Sequence, residues 1–214
     1  MSRRTLVIAI TAVAVLGFSA AAFYYNRATT PVQVSAPVQD SSALVRFNAP
    51  SFGPAKASVT VVEFFDPSCE SCRAFYPIVK QMMAKHPNDI RLVLRYVPLH
   101  VGSEQAIRLL ETARKQGVYP QVLEAVLESQ PQWHDDANAT AAWTAAIQAG
   151  LDEAKAREIL MSADITATIA RDAADAKTLG VTRTPSFFVN GKPLTNFGAQ
   201  PLYDLIRSEM SAAQ

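Results

Sequence analysis

Cys69 and Cys72 are the only two cysteines of this 214-residue chain, and two residues separate them. The preceding run, 59–65, is rich in β-branched and aromatic residues, as is typical of a buried strand, and it ends at a polar turn, 66–68. Apolar residues then recur at helical spacing over 75–83. The pattern therefore predicts two thiols in the first turn of a helix that follows a buried strand.

The start of a helix gives the two thiols different chemistry. Free amide groups and the positive end of the helix dipole stabilise an anion there, so Cys69 is expected to be the acidic, exposed thiol. Cys72 lies one turn deeper on a similar side of the helix, within reach of Cys69 for a disulfide. The pair can therefore alternate between a disulfide and two free thiols.

A fixed structural disulfide and half of a zinc site are two other uses of this spacing. A zinc site needs two more ligands, and the chain offers only His86, His100 and His134, none in a paired spacing. A disulfide around two residues would restrict the unfolded chain very little. Redox exchange fits best, with no cofactor beyond the cysteine pair and no metal. His100 is left out of the predicted site, because a single histidine in a loop is more often inert.

Residues on both sides of the cysteines match a known family. They are the run 61–65, Pro77 in the predicted helix, and 184–191, which reads Thr-Pro-Ser-Phe-Phe-Val-Asn-Gly. Together they resemble the DsbA-like thiol:disulfide oxidoreductases of the thioredoxin superfamily. The resemblance implies an α/β thioredoxin fold, a central mixed sheet flanked by helices, with a helical insertion at about 101–180. It also implies an enzyme that exchanges disulfides with protein thiols, as an oxidase.

The resemblance gives roles to residues outside the motif. Glu63 matches a position where the family often carries an acid beneath the second cysteine, able to move that thiol's proton. A glutamate on a solvated strand face is the alternative. Pro185 matches the family's cis proline, which would turn the backbone of Thr184 toward a substrate strand beside Cys69. Ordinary punctuation at the start of a strand is the alternative for the proline.

The redox poise depends on the groups nearest the cysteines. Strong oxidants of the family carry Pro-His between the cysteines, whereas this chain has Glu70 and Ser71. A carboxylate beside the thiolate raises the pKa of Cys69 by like-charge repulsion and weakens the oxidant. Arg183 stands where relatives usually have glycine and is expected to offset part of this repulsion. The sequence predicts a reduction potential between those of thioredoxin and the strongest oxidases.

The first residues of the chain predict export. Arg3 and Arg4 precede an uncharged stretch, 6–25, that is just long enough to cross a bilayer, so a membrane anchor is expected. A cleavable signal peptide is the alternative, because 6–18 is a plausible apolar region and 20–22 are small. Both interpretations of residues 1–25 give a periplasmic or other extracytoplasmic location.

The rest of the chain divides into a tether, 26–43, and one thioredoxin-like domain, 44–214. With 49% hydrophobic residues, 18% charged residues and a net charge of +1, the chain can build one core and carries no basic stripe for nucleic acid. The expected partners are thiol-bearing clients and a membrane redox partner that resets the disulfide, with a monomer as the default. A reductase or isomerase of the same fold, and a tethered soft-metal binder, are the alternative functions.

Periodicity and turn residues predict the elements of the domain. The predictions are an edge strand at 44–47, a loop at 48–54, a strand at 90–97 with alternating arginines, helices throughout 103–179, a type I′ hairpin turn at Asn190 and Gly191, and a closing helix at 201–210.

Overall fold

The computed structural model describes residues 42–213, which form a mixed sheet flanked by helices. The five strands of this range are β1 (Ser51–Phe52), β2 (Val59–Phe65), β3 (Ile90–Tyr96), β4 (Ser186–Val189) and β5 (Lys192–Pro193). Its seven α-helices are α1 (Glu70–Lys85), α2 (Ser103–Lys115), α3 (Tyr119–Glu128), α4 (Thr140–Gln148), α5 (Glu153–Ile159), α6 (Ala163–Thr178) and α7 (Ala199–Ala212), and a 3₁₀-helix (Gln130–Gln132) follows α3.

The predictions for 1–25 and for tether residues 26–41 lie outside the described residues. Within 42–213, no helix has both the length and the apolar character needed to span a membrane.

Strand β2, which leads to the cysteines, lies at the centre of the sheet. The strand order is β1-β3-β2-β4-β5, with β2 parallel to β3 and antiparallel to β4. Strand β2 is buried along almost its whole length, which explains its nearly continuous apolar sequence. Helices α2 to α6 all lie between β3 and β4 in the chain. The predicted α/β fold, with its central mixed sheet and helical insertion, is confirmed.

The hairpin after β4 also follows its sequence pattern. Asn190 and Gly191 have φ values of 46° and 82°, and Val189 pairs with Lys192 across the turn. Two consecutive residues with positive φ are the mark of a type I′ turn, which matches the twist of a hairpin. The prediction of this turn is confirmed.

Two predictions about strands at the start of the domain were wrong. Residues 44–47 lie in turns and irregular backbone instead of an edge strand, and β1, inside the predicted loop, forms one edge of the sheet. The carbonyls of Ala43 and Leu44 accept hydrogen bonds from Arg95 Nη1 at 2.7 and 2.8 Å, and neither residue belongs to a strand. Alternation placed Arg95 on an exposed face, yet it is 0% exposed.

Arg95 is buried because two carboxylates from helix α6 neutralise it. Its guanidinium lies 2.8 Å from Asp172 Oδ1 and 2.5 Å from Asp175 Oδ2. Asp175 also binds Arg46, with Nη2 to Oδ1 at 2.7 Å. This network fastens residues 43–46 to the helical side of β3, which local periodicity could not predict.

Candidate active site

The two cysteines lie at the start of α1, as the sequence predicts. Cys69 is the N-cap residue with extended backbone angles, and Cys72 lies in the first turn. Both thiols are free. The expectation that Cys69 is exposed was wrong: only 7% of it is accessible, because Thr184 lies beside the sulfur, with Cys69 Sγ and Thr184 O 3.3 Å apart. Cys72 is fully buried, so Cys69 is still the more accessible sulfur.

The two thiols have opposite acidities. A hydrogen bond from the Cys72 thiol lowers the pKa of Cys69 to about 5, against burial, which raises it. The side chain of Thr184 and the backbone amides of Cys72 and Ser71 lower this pKa further. Burial, followed by the hydrogen bond to Cys69, raises the pKa of Cys72 far above its ordinary value. At neutral pH the pair is therefore a thiolate at Cys69 and a neutral thiol at Cys72.

Glu63 is a buried acid within the central strand. It is 1% exposed, which excludes the alternative of a solvated strand face. Neither carboxylate oxygen has a hydrogen-bond partner among the described residues. Burial raises the pKa of Glu63 to about 8, with a further contribution from the charge on Cys69. A proton is therefore stored on Glu63 at neutral pH, close enough to the cysteines for their charges to interact.

The loop before β4 forms the other side of the cysteine pair. The peptide bond between Thr184 and Pro185 is cis, as the resemblance implies, and the carbonyl of Thr184 faces Cys69. The Thr184 hydroxyl is buried and has no partner with good hydrogen-bond geometry among the described residues. It is nevertheless near enough to Cys69 to stabilise the thiolate.

The three proposed tuning residues, Glu70, Ser71 and Arg183, are all exposed. Ser71 contributes through its backbone amide, which helps to lower the pKa of Cys69. The Arg183 carbonyl accepts a hydrogen bond from Ser186 Oγ at 2.8 Å. Within residues 42–213, no hydrogen bond or ion pair joins the Arg183 guanidinium to Cys69. The carboxylate of Glu70 is likewise not among the largest contributions to the shifted pKa of Cys69.

Comparison with known proteins shows the family. Residues 48–206 match the family described as Thioredoxin, which is more than half of the chain. The chain belongs to this family. A thioredoxin-like oxidoreductase from Silicibacter pomeroyi DSS-3 is 33% identical, and the alignment covers 82% of this chain and 99% of that one with a TM-score of 0.72.

The curated relatives include a thiol:disulfide oxidoreductase and a much longer Na⁺/H⁺ antiporter. The thiol:disulfide interchange protein DsbA of Bordetella parapertussis is 25% identical over 174 residues, covering 79% of this chain and 81% of the relative. The Na⁺/H⁺ antiporter NhaA 3 of Salinispora tropica is 32% identical over 143 residues, 65% of this chain. This chain spans only about a fifth of that antiporter (21%). Together with the cysteine geometry, these matches identify a DsbA-like thiol:disulfide oxidoreductase of the thioredoxin superfamily.

Cys69 lines a cavity of about 490 Å³ in this thioredoxin-family enzyme. The cavity is lined by Ser68, Cys69, Glu70, Ser71, Leu99, His100, Val101, His134 and Asp135. Sequence reasoning left His100 out of the site, but the structure places it on this wall. The position of His100 follows from the sheet, because β2 and β3 are parallel neighbours whose last residues, Phe65 and Tyr96, pair. The loops that follow such strands meet at one edge of the sheet.

Gln130 is a second residue of the thioredoxin-family site that the sequence did not reveal. It is fully buried in the 3₁₀-helix of the insertion. Its Nε2 donates to the carbonyls of Pro67 at 2.7 Å and Cys69 at 3.0 Å, and its Oε1 accepts from Arg73 Nε at 2.8 Å. The insertion therefore holds the backbone of the cysteine motif in place.

Within the described part of the chain, no group of three or more His, Cys, Asp or Glu residues could hold a metal ion. The cysteine pair is a dithiol site with the buried acid Glu63 beside it.

Proposed function

We propose that this enzyme is an exported oxidase that transfers the Cys69–Cys72 disulfide to thiols of exported client proteins. The unequal acidity of the two thiols carries the proposal. The hydrogen bonds to Cys69 stabilise the thiolate of the reduced enzyme and lower the pKa of Cys69 to about 5. Because the reduced form is stabilised, the disulfide is readily given to a substrate.

The proposed reaction runs in two exchanges. A substrate thiolate attacks Cys69 Sγ, and the electron pair of the breaking disulfide passes to Cys72 Sγ, which takes a proton from Glu63. The second substrate thiolate then attacks the substrate sulfur of the mixed disulfide and releases Cys69 as its stable thiolate. The backbone of Thr184, held by Pro185, would pair with the substrate strand during both steps.

The proposal extends to the redox poise. Glu70 and Ser71, between the cysteines, and Arg183, beside the substrate loop, would adjust the charge that a bound substrate and the Cys69 thiolate experience. All three residues are exposed, so the charges of Glu70 and Arg183 act on the sulfur through solvent and are partly screened. Their influence is therefore expected to be smaller than that of the buried hydrogen bonds.

The location and partners follow from the sequence pattern. Residues 1–25 would anchor the enzyme to the inner membrane or direct its export, 26–43 would act as a tether, and 44–214 would be the catalytic domain. A membrane redox partner would return the pair to the disulfide after each cycle. The clients would be unfolded proteins with pairs of thiols.

The test is oxidation of a reduced, unstructured peptide that carries two thiols, with oxygen excluded. The oxidised enzyme should convert one equivalent of peptide to its disulfide and become reduced itself. Cys69→Ser should be inactive, because it removes the attacked sulfur. If the enzyme keeps its own disulfide, and its reduced form instead opens the peptide disulfide, the direction is that of a reductase.

A further inference from the structure

Asp66 directly follows strand β2 and is a fully buried carboxylate that accepts four hydrogen bonds. Its Oδ1 accepts from the amide of Ser68 at 2.9 Å and the hydroxyl of Ser103 at 2.6 Å. Its Oδ2 lies 2.8 Å from the amide of Leu99 and 2.7 Å from His100 Nδ1. A carboxylate has about four lone-pair positions, so these contacts satisfy it completely.

The same contacts define the tautomer of His100. Backbone amides can only donate, and the Ser103 hydroxyl already accepts from the His100 amide at 3.1 Å, which leaves its proton for Asp66. With Asp66 as acceptor throughout, Nδ1 of His100 is the donor. Its Nε2 is then the free basic nitrogen of the neutral ring, as in other pairs where a buried carboxylate orients a histidine.

His100 differs in this respect from the other histidine of the cavity. Both rings line the same cavity as Cys69. His134 Nδ1 lies 3.2 Å from Asp135 Oδ1, but that carboxylate is 90% exposed and cannot fix a ring firmly. His100 instead has a fully buried partner, while its own side chain remains 47% exposed. Of the two histidines of this cavity, His100 is therefore the one that is both oriented and accessible to a substrate.

We infer that His100 is the general base for the incoming substrate thiol, with Asp66 as its positioning residue. The inference rests on the proposed attack at Cys69. His100 Nε2 removes the proton of the substrate thiol, R–SH, and the resulting thiolate bonds to Cys69 Sγ. The disulfide breaks, its electron pair goes to Cys72, and Cys72 takes the proton of Glu63. Solvent then removes the proton from His100 and returns a proton to Glu63. In the net reaction, the substrate thiol and the enzyme disulfide give a mixed disulfide at Cys69 and a free thiol at Cys72.

The size of the expected effect follows from the substrate. A free cysteine has a pKa of about 8.5, so only about 3% of it is thiolate at pH 7. A base that deprotonates the thiol as it attacks can accelerate the reaction by at most about thirtyfold for such a thiol. A thiol that is already ionised gains nothing. This difference between thiols separates base catalysis from a structural role.

The experiment measures the rate at which oxidised enzyme reacts with two thiols at pH 7. The probes are a peptide with one free cysteine, which is mostly protonated, and an aromatic thiol, which is mostly ionised. In His100→Gln, we expect the rate with the cysteine peptide to fall about five- to thirtyfold and the rate with the aromatic thiol to be unchanged. The reduction potential should also be unchanged, because a base accelerates both directions equally. His86→Gln, whose ring contacts Tyr203 at the far end of α1, is the matched control and should behave as the parent does.

Three results would overturn the inference. Equal rates for His100→Gln and the parent with both thiols would leave no base role for this ring. An equal loss with both thiols, or a shifted potential, would assign His100 a purely structural or electrostatic role. A selective loss in His134→Gln instead would move the role to the other ring. A parent enzyme that reacts with neither thiol would instead refute the proposed attack at Cys69.

Discussion

Cys69 and Cys72 are three residues apart in the chain, but burial and hydrogen bonding act on them in opposite directions. Cys69 receives hydrogen bonds that stabilise its anion, whereas Cys72 loses solvent and gains none of comparable strength. The pKa of about 5 at Cys69 lies between values of about 7 for thioredoxin and about 3.5 for DsbA. For the proposed oxidase, this pKa predicts an oxidising strength between that of a reductant and that of a strong oxidant.

Alkylation of the reduced enzyme should show this asymmetry directly. Iodoacetamide at about pH 6 should modify Cys69 and leave Cys72 free, because only the thiolate reacts. The rate should rise with a midpoint near the pKa of about 5. In Glu70→His the midpoint should fall, since a carboxylate near the sulfur is removed. Mass spectrometry of peptides locates the label, and equal labelling of Cys72 would reverse the assigned roles.

Glu63 gives a separate, pH-dependent signature in the free energy of unfolding. Its pKa is raised from 4.5 to about 8, so between these values the unfolded chain loses a proton that the folded chain keeps. Folding stability should therefore fall as pH rises through this window. The gap corresponds to roughly 5 kcal/mol at about 1.4 kcal/mol per pH unit.

Glu63→Gln should remove this dependence. Urea unfolding of the reduced proteins should show the variant gaining stability relative to the parent between pH 4.5 and pH 8. The exposed Glu128→Gln serves as the control and should follow the parent. A difference between Glu63→Gln and the parent that stays constant with pH would mean that Glu63 is already ionised in the folded enzyme.

At the scale of elements, the parts that depend on neighbours in sequence could be predicted. Strand β2, helix α1 and the β4–β5 hairpin follow from periodicity and turn residues. The two-residue strand β1 could not, because it has no periodicity and exists only by pairing with β3. Arg95 and Gln130 were missed for a similar reason, since their partners are far away in the chain. Long-range polar contacts leave little local signal.

The 3₁₀-helix of the insertion offers a test of such a contact. Gln130→Ala would leave the carbonyl of Pro67 and the side chain of Arg73 without this partner, whereas the carbonyl of Cys69 would keep its hydrogen bond from the Arg73 amide. Each unsatisfied buried group costs about 1–3 kcal/mol, so we expect a loss of stability of about 2–4 kcal/mol and slower thiol exchange. Urea unfolding measures the first effect. Gln132→Ala, exposed on the same short helix, should cost little; equal effects would show that Gln130 does not support the motif.

At the scale of the whole molecule, the site is assembled from four separate segments. They are the turn after β2, the loop after β3, the 3₁₀-helix of the insertion and the loop before β4. The match to the thioredoxin family, 48–206, contains all four of them. The motif and the proline loop could be recognised from sequence by resemblance. The contributions of Asp66, His100 and Gln130 became visible only when the sheet and the insertion brought their segments together.

The reduction potential of the cysteine pair tests the central claim most directly, that a moderately acidic Cys69 makes this enzyme an oxidase of intermediate strength. The measurement is an equilibrium titration of the Cys69–Cys72 pair against glutathione. We expect a potential between about −270 mV, the value for thioredoxin, and about −120 mV, the value for DsbA. A potential at or below the thioredoxin value would make the pair a reductant, and one at or above the DsbA value would show that Cys69 is far more acidic than its surroundings imply; either result would contradict the account.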